Sequence, residues 1–260
     1  MAHTSVGPHL FHKPEIKTIT LDDPWKWLRL GWKDLTHTPL YSLGYGAIFV
    51  VLGYLIIWGL YDTPLFLMIL PLAAGLFLLA PILAIGLYSI SRALENGETI
   101  QFKHITKAWD TNAWHIAIMG MILTFVMLFW MLTANVVFIL FYDQPTPSWE
   151  NFLSMVFFSG ENTFFLMASL ISGGAIAFFT FCISVISIPM LMDREIDFMN
   201  AIHTSISAIK KNRWPLMLWA YLIVMYIGIG IITFFIGLLI TMPLIGHASW
   251  HAYRDLVGDE

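Results

Sequence analysis

Long apolar runs separated by short polar segments dominate the chain. Five stretches, 40–61, 63–91, 111–142, 162–192 and 214–253, contain no Asp, Glu, Lys or Arg. Each is longer than the roughly 20 apolar residues that cross the hydrocarbon core of a bilayer as a helix. The last stretch, written as one helix, would run about 60 Å, twice the hydrocarbon thickness. A turn near Gly228-Ile229-Gly230 would divide it. The pattern therefore predicts an all-α membrane protein with six transmembrane helices.

The polar segments between these runs have a helical period of their own. At 100° per residue, Trp25, Leu28, Trp32 and Leu35 share one side, while Lys26, Arg29 and Lys33 share another. Asp23 followed by Pro24 is a good start signal for that helix. Over 102–113, Phe102, Ile105, Trp109 and Ala113 oppose Lys103, His104 and Lys107. Over 197–210, Phe198, Ile202, Ile206 and Ile209 oppose Asn200, His203 and Ser207. Three amphipathic interfacial helices are expected, docked on lipid or on the bundle. Trp25, Trp27, Trp32 and Arg29 are the candidate interfacial anchors of the first.

Each amphipathic helix precedes a pair of spans, which predicts three parallel repeats of interfacial helix plus helical hairpin, at about 22–94, 98–193 and 194–256. Gly75-Leu76, Pro81, Arg92 and Leu94 correspond to Gly237-Leu238, Pro243, Arg254 and Leu256 at a constant shift. Copies that begin on the same side are related by an axis along the membrane normal. Residues 22–256 then form one membrane domain, with 1–21 a flexible cytoplasmic segment and 257–260 a short tail.

Composition agrees. The chain is 58% hydrophobic and 12% charged, against about a quarter charged in soluble domains. Under six crossings all 13 Lys and Arg fall on one side, and the outer connections hold only Asp62, Asp143, Glu150 and Glu161. Cationic loops stay cytoplasmic, so both termini are expected inside. The longest outer loop, 143–161, carries Pro145, Pro147 and an interfacial candidate, Trp149. The first 39 residues lack the apolar core and cleavage site of a signal peptide. The inner side carries as many acidic as basic groups, which argues against nucleic-acid binding.

Candidate chemistry is sparse. No ionisable Asp, Glu, Lys or Arg lies inside a predicted span, which argues against a proton-coupled pump. Glycine-rich phosphate loops and nucleophile elbows are missing from the sequence. The sole cysteine, Cys182, permits neither an internal disulfide nor a Cys-based metal centre within the chain. Pro81, Pro189 and Pro243 sit in the inner halves of the second, fourth and sixth spans, where each frees a carbonyl and permits a kink. At the inner end of the last span, His247, Trp250, His251, Tyr253 and Arg254 form the candidate functional cluster. His247 and His251 are four apart on a helix, a spacing that can ligate a metal or reach haem. The same residue types also anchor a helix end at headgroup depth.

Two stretches, Leu21-Asp-Asp-Pro-Trp-Lys-Trp-Leu-Arg-Leu-Gly-Trp-Lys-Asp-Leu and Pro243-Leu-Ile-Gly-His-Ala-Ser-Trp-His-Ala-Tyr-Arg-Asp-Leu-Val, resemble a family of bacterial predicted integral membrane proteins catalogued as domain of unknown function 2189. The resemblance is expected to run through nearly the whole chain after the first dozen residues. It implies a bacterial inner membrane and leaves the activity open; some members are described as cytochrome c oxidases. A haem–copper catalytic subunit needs more spans and several intramembrane His ligands, so an accessory role is the physically easier expectation. The expected function is a non-enzymatic accessory, organising or assembly component of a membrane complex, such as a respiratory one. Its partners would be membrane lipids and other inner-membrane subunits or a second copy. A passive or lipid-facing small-molecule transporter is the alternative, and a haem- or metal-binding membrane protein a further one.

Overall fold

The computed structural model describes residues 15–63, 65–142, 151, 154–158 and 160–258. The expectations for Trp149, Pro145, Pro147 and the first 14 residues lie outside them. The helices are α1 (Asp23–His37), α2 (Pro39–Leu60), α3 (Ile69–Leu78), α4 (Ala80–Leu83), α5 (Ile85–Glu95) and α6 (Phe102–Thr106). They continue as α7 (Ala113–Phe141), α8 (Thr163–Ser184), α9 (Ser187–Asp193), α10 (Phe198–Lys211), α11 (Arg213–Ile232) and α12 (Leu238–Leu256). A 3₁₀ turn at Phe66–Met68 leads into α3. Beyond the helices, an isolated antiparallel bridge joins Ile16 to Val257.

Four helical segments are long and apolar enough to span a bilayer: Pro39–Leu60, Ala113–Phe141, Thr163–Asp193 and Arg213–Ile232. The two other expected spans take different forms. The second is broken into α3, α4 and α5, because Pro81 cannot continue the hydrogen-bond ladder of α3. The sixth, α12, is a 19-residue helix whose second half carries His247, Ser249, His251, Arg254 and Asp255. It is nevertheless the most enclosed of the long helices: every residue from Thr241 to Trp250 is buried, packed against α1, α2, α5 and α11, and His251 is partly exposed.

Close backbone approach explains how α12 gains so many neighbours. A Cβ at Gly31 on α1 would lie 2.8 Å from both the Ala248 nitrogen and the Leu244 oxygen. A Cβ at Gly46 on α2 would lie 2.3 Å from the Leu239 oxygen. That carbonyl is the one Pro243 leaves without its helical N–H partner, since Pro has no donor for the residue four positions back. Small residues at such contacts let membrane helices pack backbone to backbone. Trp27 and Trp219 then fill the space beside α12, with ring centroids 5.4 Å apart and edges crossed at 87°.

The break between α8 and α9, just before Pro189, is repaired from a neighbour. Ser205 of α10 donates to the Cys182 carbonyl at 2.8 Å and accepts from the Ile186 amide at 3.3 Å. One hydroxyl thus satisfies two of the backbone groups opened by the break, as a dry bundle requires.

Three sequence expectations are corrected. The last hairpin does not turn at Gly228–Gly230; α11 runs through both glycines, and the turn lies at 233–237. Gly230 instead admits the start of α12, since a Cβ there would lie 2.4 Å from Leu238. Phe234 and Phe235 carry the turn with φ of 54° and 65°, a left-handed conformation that costs roughly 1–2 kcal/mol per residue. Burial of Phe235 against Gly53, Phe49 and Leu238 offsets that cost. Second, α1 buries Trp27, Leu28, Gly31, Asp34 and Leu35 and leaves Trp25 and Trp32 half exposed. Residue size misled the wheel, because the inward stripe includes a glycine and a carboxylate. Third, α6 is a five-residue helix rather than a segment over 102–113, and α10 faces inward through Ala201, Thr204, Ser205, Ala208 and Ile209. Phe198, Ile202 and Ile206 lie at the margin of that face.

The segment expected to be flexible through residue 21 is tied down from residue 16. Lys17 N–H donates to the Leu256 carbonyl at 2.9 Å, and Asn212 holds the Ile19 amide and the Lys17 carbonyl, each at 2.9 Å. Both ends of the described chain therefore meet at one end of the bundle.

Gly46→Ala should lower the thermal unfolding temperature of the detergent-solubilised protein, with a cost in the overpacking range of about 1–3 kcal/mol. Gly44→Ala, at a position with nothing within 4 Å of the new Cβ, should be neutral or slightly stabilising because alanine is the better helix former.

Candidate functional site

Where the two ends of the described chain meet, four helices converge on a closed ring of polar side chains. His247, fully buried on α12, contacts Ser42 of α2 through Nε2 at 2.9 Å and Ser91 of α5 through Nδ1 at 2.8 Å. Ser91 donates to Asp34 Oδ2 of α1 at 2.7 Å. Ser42 lies 3.0 Å from the hydroxyl of Thr38, which donates to the Asp34 backbone carbonyl at 2.9 Å. The path returns to Asp34. His251, one turn beyond His247, reaches the same Oδ2 at 2.8 Å from the less enclosed side.

A second layer surrounds the ring. Trp250 Nε1 donates to Glu95 at 3.0 Å, and Arg254 Nε reaches the other oxygen of that carboxylate at 3.1 Å. Tyr253 donates to Asp193 at 2.8 Å and accepts from Arg194 Nε at 2.9 Å. Arg194 also reaches the Gly258 carbonyl at 2.6 Å. Arg92 and Arg254 approach Asp193 at 3.6 and 4.0 Å. Asp255 accepts from Lys26 Nζ and from Trp27 Nε1, both at 2.8 Å. These contacts hold α1, α5 and α9 around the end of α12.

Outside the spans, Asp197 caps α10. Its carboxylate accepts from the Asn200 amide at 3.0 Å. Partial burial pushes its pKa up, but the Asn200 amide and side chain outweigh that and hold it below the usual carboxylate range.

The candidate cluster read from the sequence is thus brought together, though as a core rather than a headgroup anchor. His247, Trp250 and Tyr253 are fully enclosed, while His251 and Arg254 are partly exposed. Among the proposed anchors, Trp27 is a core residue bonded to Asp255; Trp25, Trp32 and Arg29 remain on the outside. The two histidines do not face a common point. Both ring nitrogens of His247 are engaged, and among the described residues no three His, Cys, Asp or Glu groups are placed to hold a metal ion.

Asp34, Thr38, Ser42, Ser91, Glu95 and Asp193 were not singled out as site residues from the sequence. One signal was available for Asp34: it falls on the helical face of Trp27, Gly31 and Leu35, where a carboxylate needs a partner. The serines and threonine carry no comparable mark, because hydroxyls are common in membrane helices.

Ser91, His247 and Asp34 are the residue types of a hydrolase triad, but their order differs. In a triad the imidazole lies between hydroxyl and carboxylate; here the hydroxyl lies between imidazole and carboxylate. Ser91 and His247 are also fully buried. The ring is suited to sharing protons and holding helices together rather than to attacking a substrate.

A family model described as "Predicted integral membrane protein (DUF2189)" matches residues 69–193. Over that segment the chain is similar to DUF2189. The match spans α3 to α9 and includes Ser91, Glu95 and Asp193. Neither of the two stretches quoted from the sequence, 21–35 and 243–257, falls within it. Comparison with curated proteins gives no match, and comparison with solved structures gives none. With this match and its several apolar helices, the chain is an integral membrane protein.

Tyr253→Phe removes the hydroxyl that links Arg194 to Asp193. It should lower resistance to denaturation by sodium dodecyl sulfate, at a cost of about 1–3 kcal/mol for the polar groups left behind. Helical content by circular dichroism should not change. Tyr54→Phe, on the exposed side of α2, is the matched control.

Proposed function

We propose that this is a non-enzymatic, multi-pass component that organises or helps assemble a larger membrane complex. The observation that carries the reading is how its surfaces are divided. The polar side chains of α12 from His247 to Asp255 are spent on contacts within the chain, whereas the spans present large apolar side chains outward. Trp58 of α2, Ile139 of α7, Phe164 and Leu170 of α8 and Ile232 of α11 are among the most exposed. Such flanks suit lipid and neighbouring helices, including those of other subunits or a second copy.

The six-crossing topology with cytoplasmic termini in a bacterial inner membrane belongs to this reading. It draws support from the one-sided distribution of Lys and Arg and from the meeting of both chain ends. The interrupted α3–α5 segment and α12 would supply the two crossings beyond the four long helices. The repeat draws support from Arg92 and Arg254, matched in sequence and both directed at Asp193. In the same reading, the half-exposed Trp25 and Trp32 anchor α1 at headgroup depth.

A second reading, a lipid-facing transporter, is favoured by one feature. A cavity of about 220 Å³ opens between α3, α7 and α8, lined mainly by apolar groups such as Leu70, Pro71, Trp130, Val137, Phe138 and Phe165. It lies to the side of the bundle rather than along α12, whose surroundings are filled.

Affinity capture from mild detergent should return the chain with other membrane subunits or as an oligomer; repeated recovery of monomer alone would defeat the assembly reading. In a Cys182→Ala background, His37→Cys and Glu98→Cys should react with an impermeant thiol reagent from the cytoplasmic side only, and Asp62→Cys from the opposite side only. Labelling of positions 37 and 62 from the same side would remove the topology.

A further inference from the structure

The ring around His247 has one property that follows from counting hydrogens. Five contacts close it: Asp34 carbonyl to Thr38, Thr38 to Ser42, Ser42 to His247, His247 to Ser91, and Ser91 to Asp34 Oδ2. Each is 2.7–3.0 Å between two electronegative atoms, and each needs one proton between them. Thr38, Ser42 and Ser91 supply one each, and a neutral imidazole supplies one more. An ionised Asp34 supplies none. Four protons would then serve five contacts, and one pair of oxygen or nitrogen lone pairs would face each other without a hydrogen.

We propose that the ring is a proton-binding site that holds one proton beyond those of a neutral imidazole and an ionised carboxylate, shared between His247 and Asp34 through the Ser91 hydroxyl. Two arrangements satisfy all five contacts. In the first, imidazolium His247 donates from Nδ1 to Ser91 and from Nε2 to Ser42; Ser91 donates to ionised Asp34, Ser42 to Thr38, and Thr38 to the Asp34 carbonyl. In the second, Asp34 Oδ2–H donates to Ser91, which donates to Nδ1 of neutral His247, while the Nε2–H still donates to Ser42. They interconvert when Nδ1 passes its proton to Ser91 as Ser91 passes its own to Asp34. No proton enters or leaves in that step, and the five bonds persist. Both forms have zero net charge across the Asp34–His247 pair, which is what a buried ionisable pair requires.

The surroundings agree with a single shared proton. The titratable groups that face His247 are Asp34 from α1 and His251 from its own helix. α2 offers the Ser42 hydroxyl, and α5 offers the Ser91 hydroxyl and the backbone of Leu87. Glu95 and Asp255, the other carboxylates of this end on α5 and α12, are occupied by Trp250 and Arg254 and by Lys26 and Trp27. His251 touches Asp34 from the partly exposed side and is the group through which a proton would reach the ring. Loss of the proton would leave one of the contacts that join α1, α2 and α5 to α12 unsupported.

The test uses the full-length protein in lipid nanodiscs at neutral pH, with ¹⁵N-labelled histidine for NMR and infrared spectroscopy for carboxyl groups. His247→Gln assigns the imidazole signals and Asp34→Asn the carboxyl band. The expected result is one of two: both ring nitrogens of His247 protonated, or a protonated-carboxyl band that Asp34→Asn removes. A neutral His247 together with an ionised Asp34 overturns the proposal. Ser42→Ala deletes two of the five contacts, so the remaining three are served by Thr38, Ser91 and the Nδ1–H. That variant should lose the extra proton and show an unprotonated Nε2; retention of the proton there also overturns the assignment. If Ser42→Ala does not fold, the two wild-type readouts decide.

Discussion

A polar helix can occupy the centre of an apolar bundle only if other helices answer its hydrogen-bonding groups. That constraint governs this molecule. The last helix carries two histidines, a serine, a tryptophan, a tyrosine, an arginine and an aspartate within about three turns, and yet it is the most enclosed of the long helices. An unpartnered buried polar group costs several kcal/mol. The sequence of α12 therefore makes demands on α1, α2, α5 and α9, and each supplies a matched side chain: Asp34, Ser42, Ser91 with Glu95, and Asp193.

Packing and polarity reinforce each other in meeting those demands. The ring contacts require α1 and α2 to stand close to α12, and Gly31 and Gly46 remove the side chains that would hold them off. Pro243 exposes a carbonyl on the very turn that Gly46 covers. At the break before Pro189, Ser205 reaches across from α10 to satisfy Cys182 and Ile186. The break before Pro189 is thus placed where a neighbour has something to offer, which is the condition for tolerating it away from water.

The functional picture follows from what these contacts consume. With both nitrogens of His247 bonded and Asp34, Glu95, Asp193 and Asp255 paired, the polar chemistry at the end of α12 is directed inward. What faces outward from the spans is apolar and bulky. A chain built this way offers surfaces for lipid and for other helices, and it keeps a proton-sharing ring at the point where both of its ends are fastened. The lateral cavity between α3, α7 and α8 points toward a small apolar ligand instead.

Charge-free runs longer than a bilayer crossing, in a chain poor in charge, were enough to establish the membrane class. Those are one-dimensional properties, since transfer into lipid depends on the composition of each segment. The cluster of His247, Trp250, His251, Tyr253 and Arg254 was also legible, because so many polar groups on one apolar stretch are unusual. Its role was not. Residue type and spacing gave no way to distinguish a headgroup anchor from a core, because that depends on which helices lie alongside. Only the tertiary structure could bring Asp34 from one end of the chain to His251 near the other, turn Trp27 inward while leaving Trp25 and Trp32 outside, and move the last turn from Gly228–Gly230 to Phe234 and Phe235. In each case contacts between residues far apart in sequence overrode the local pattern, and no periodicity within a single helix records its neighbours.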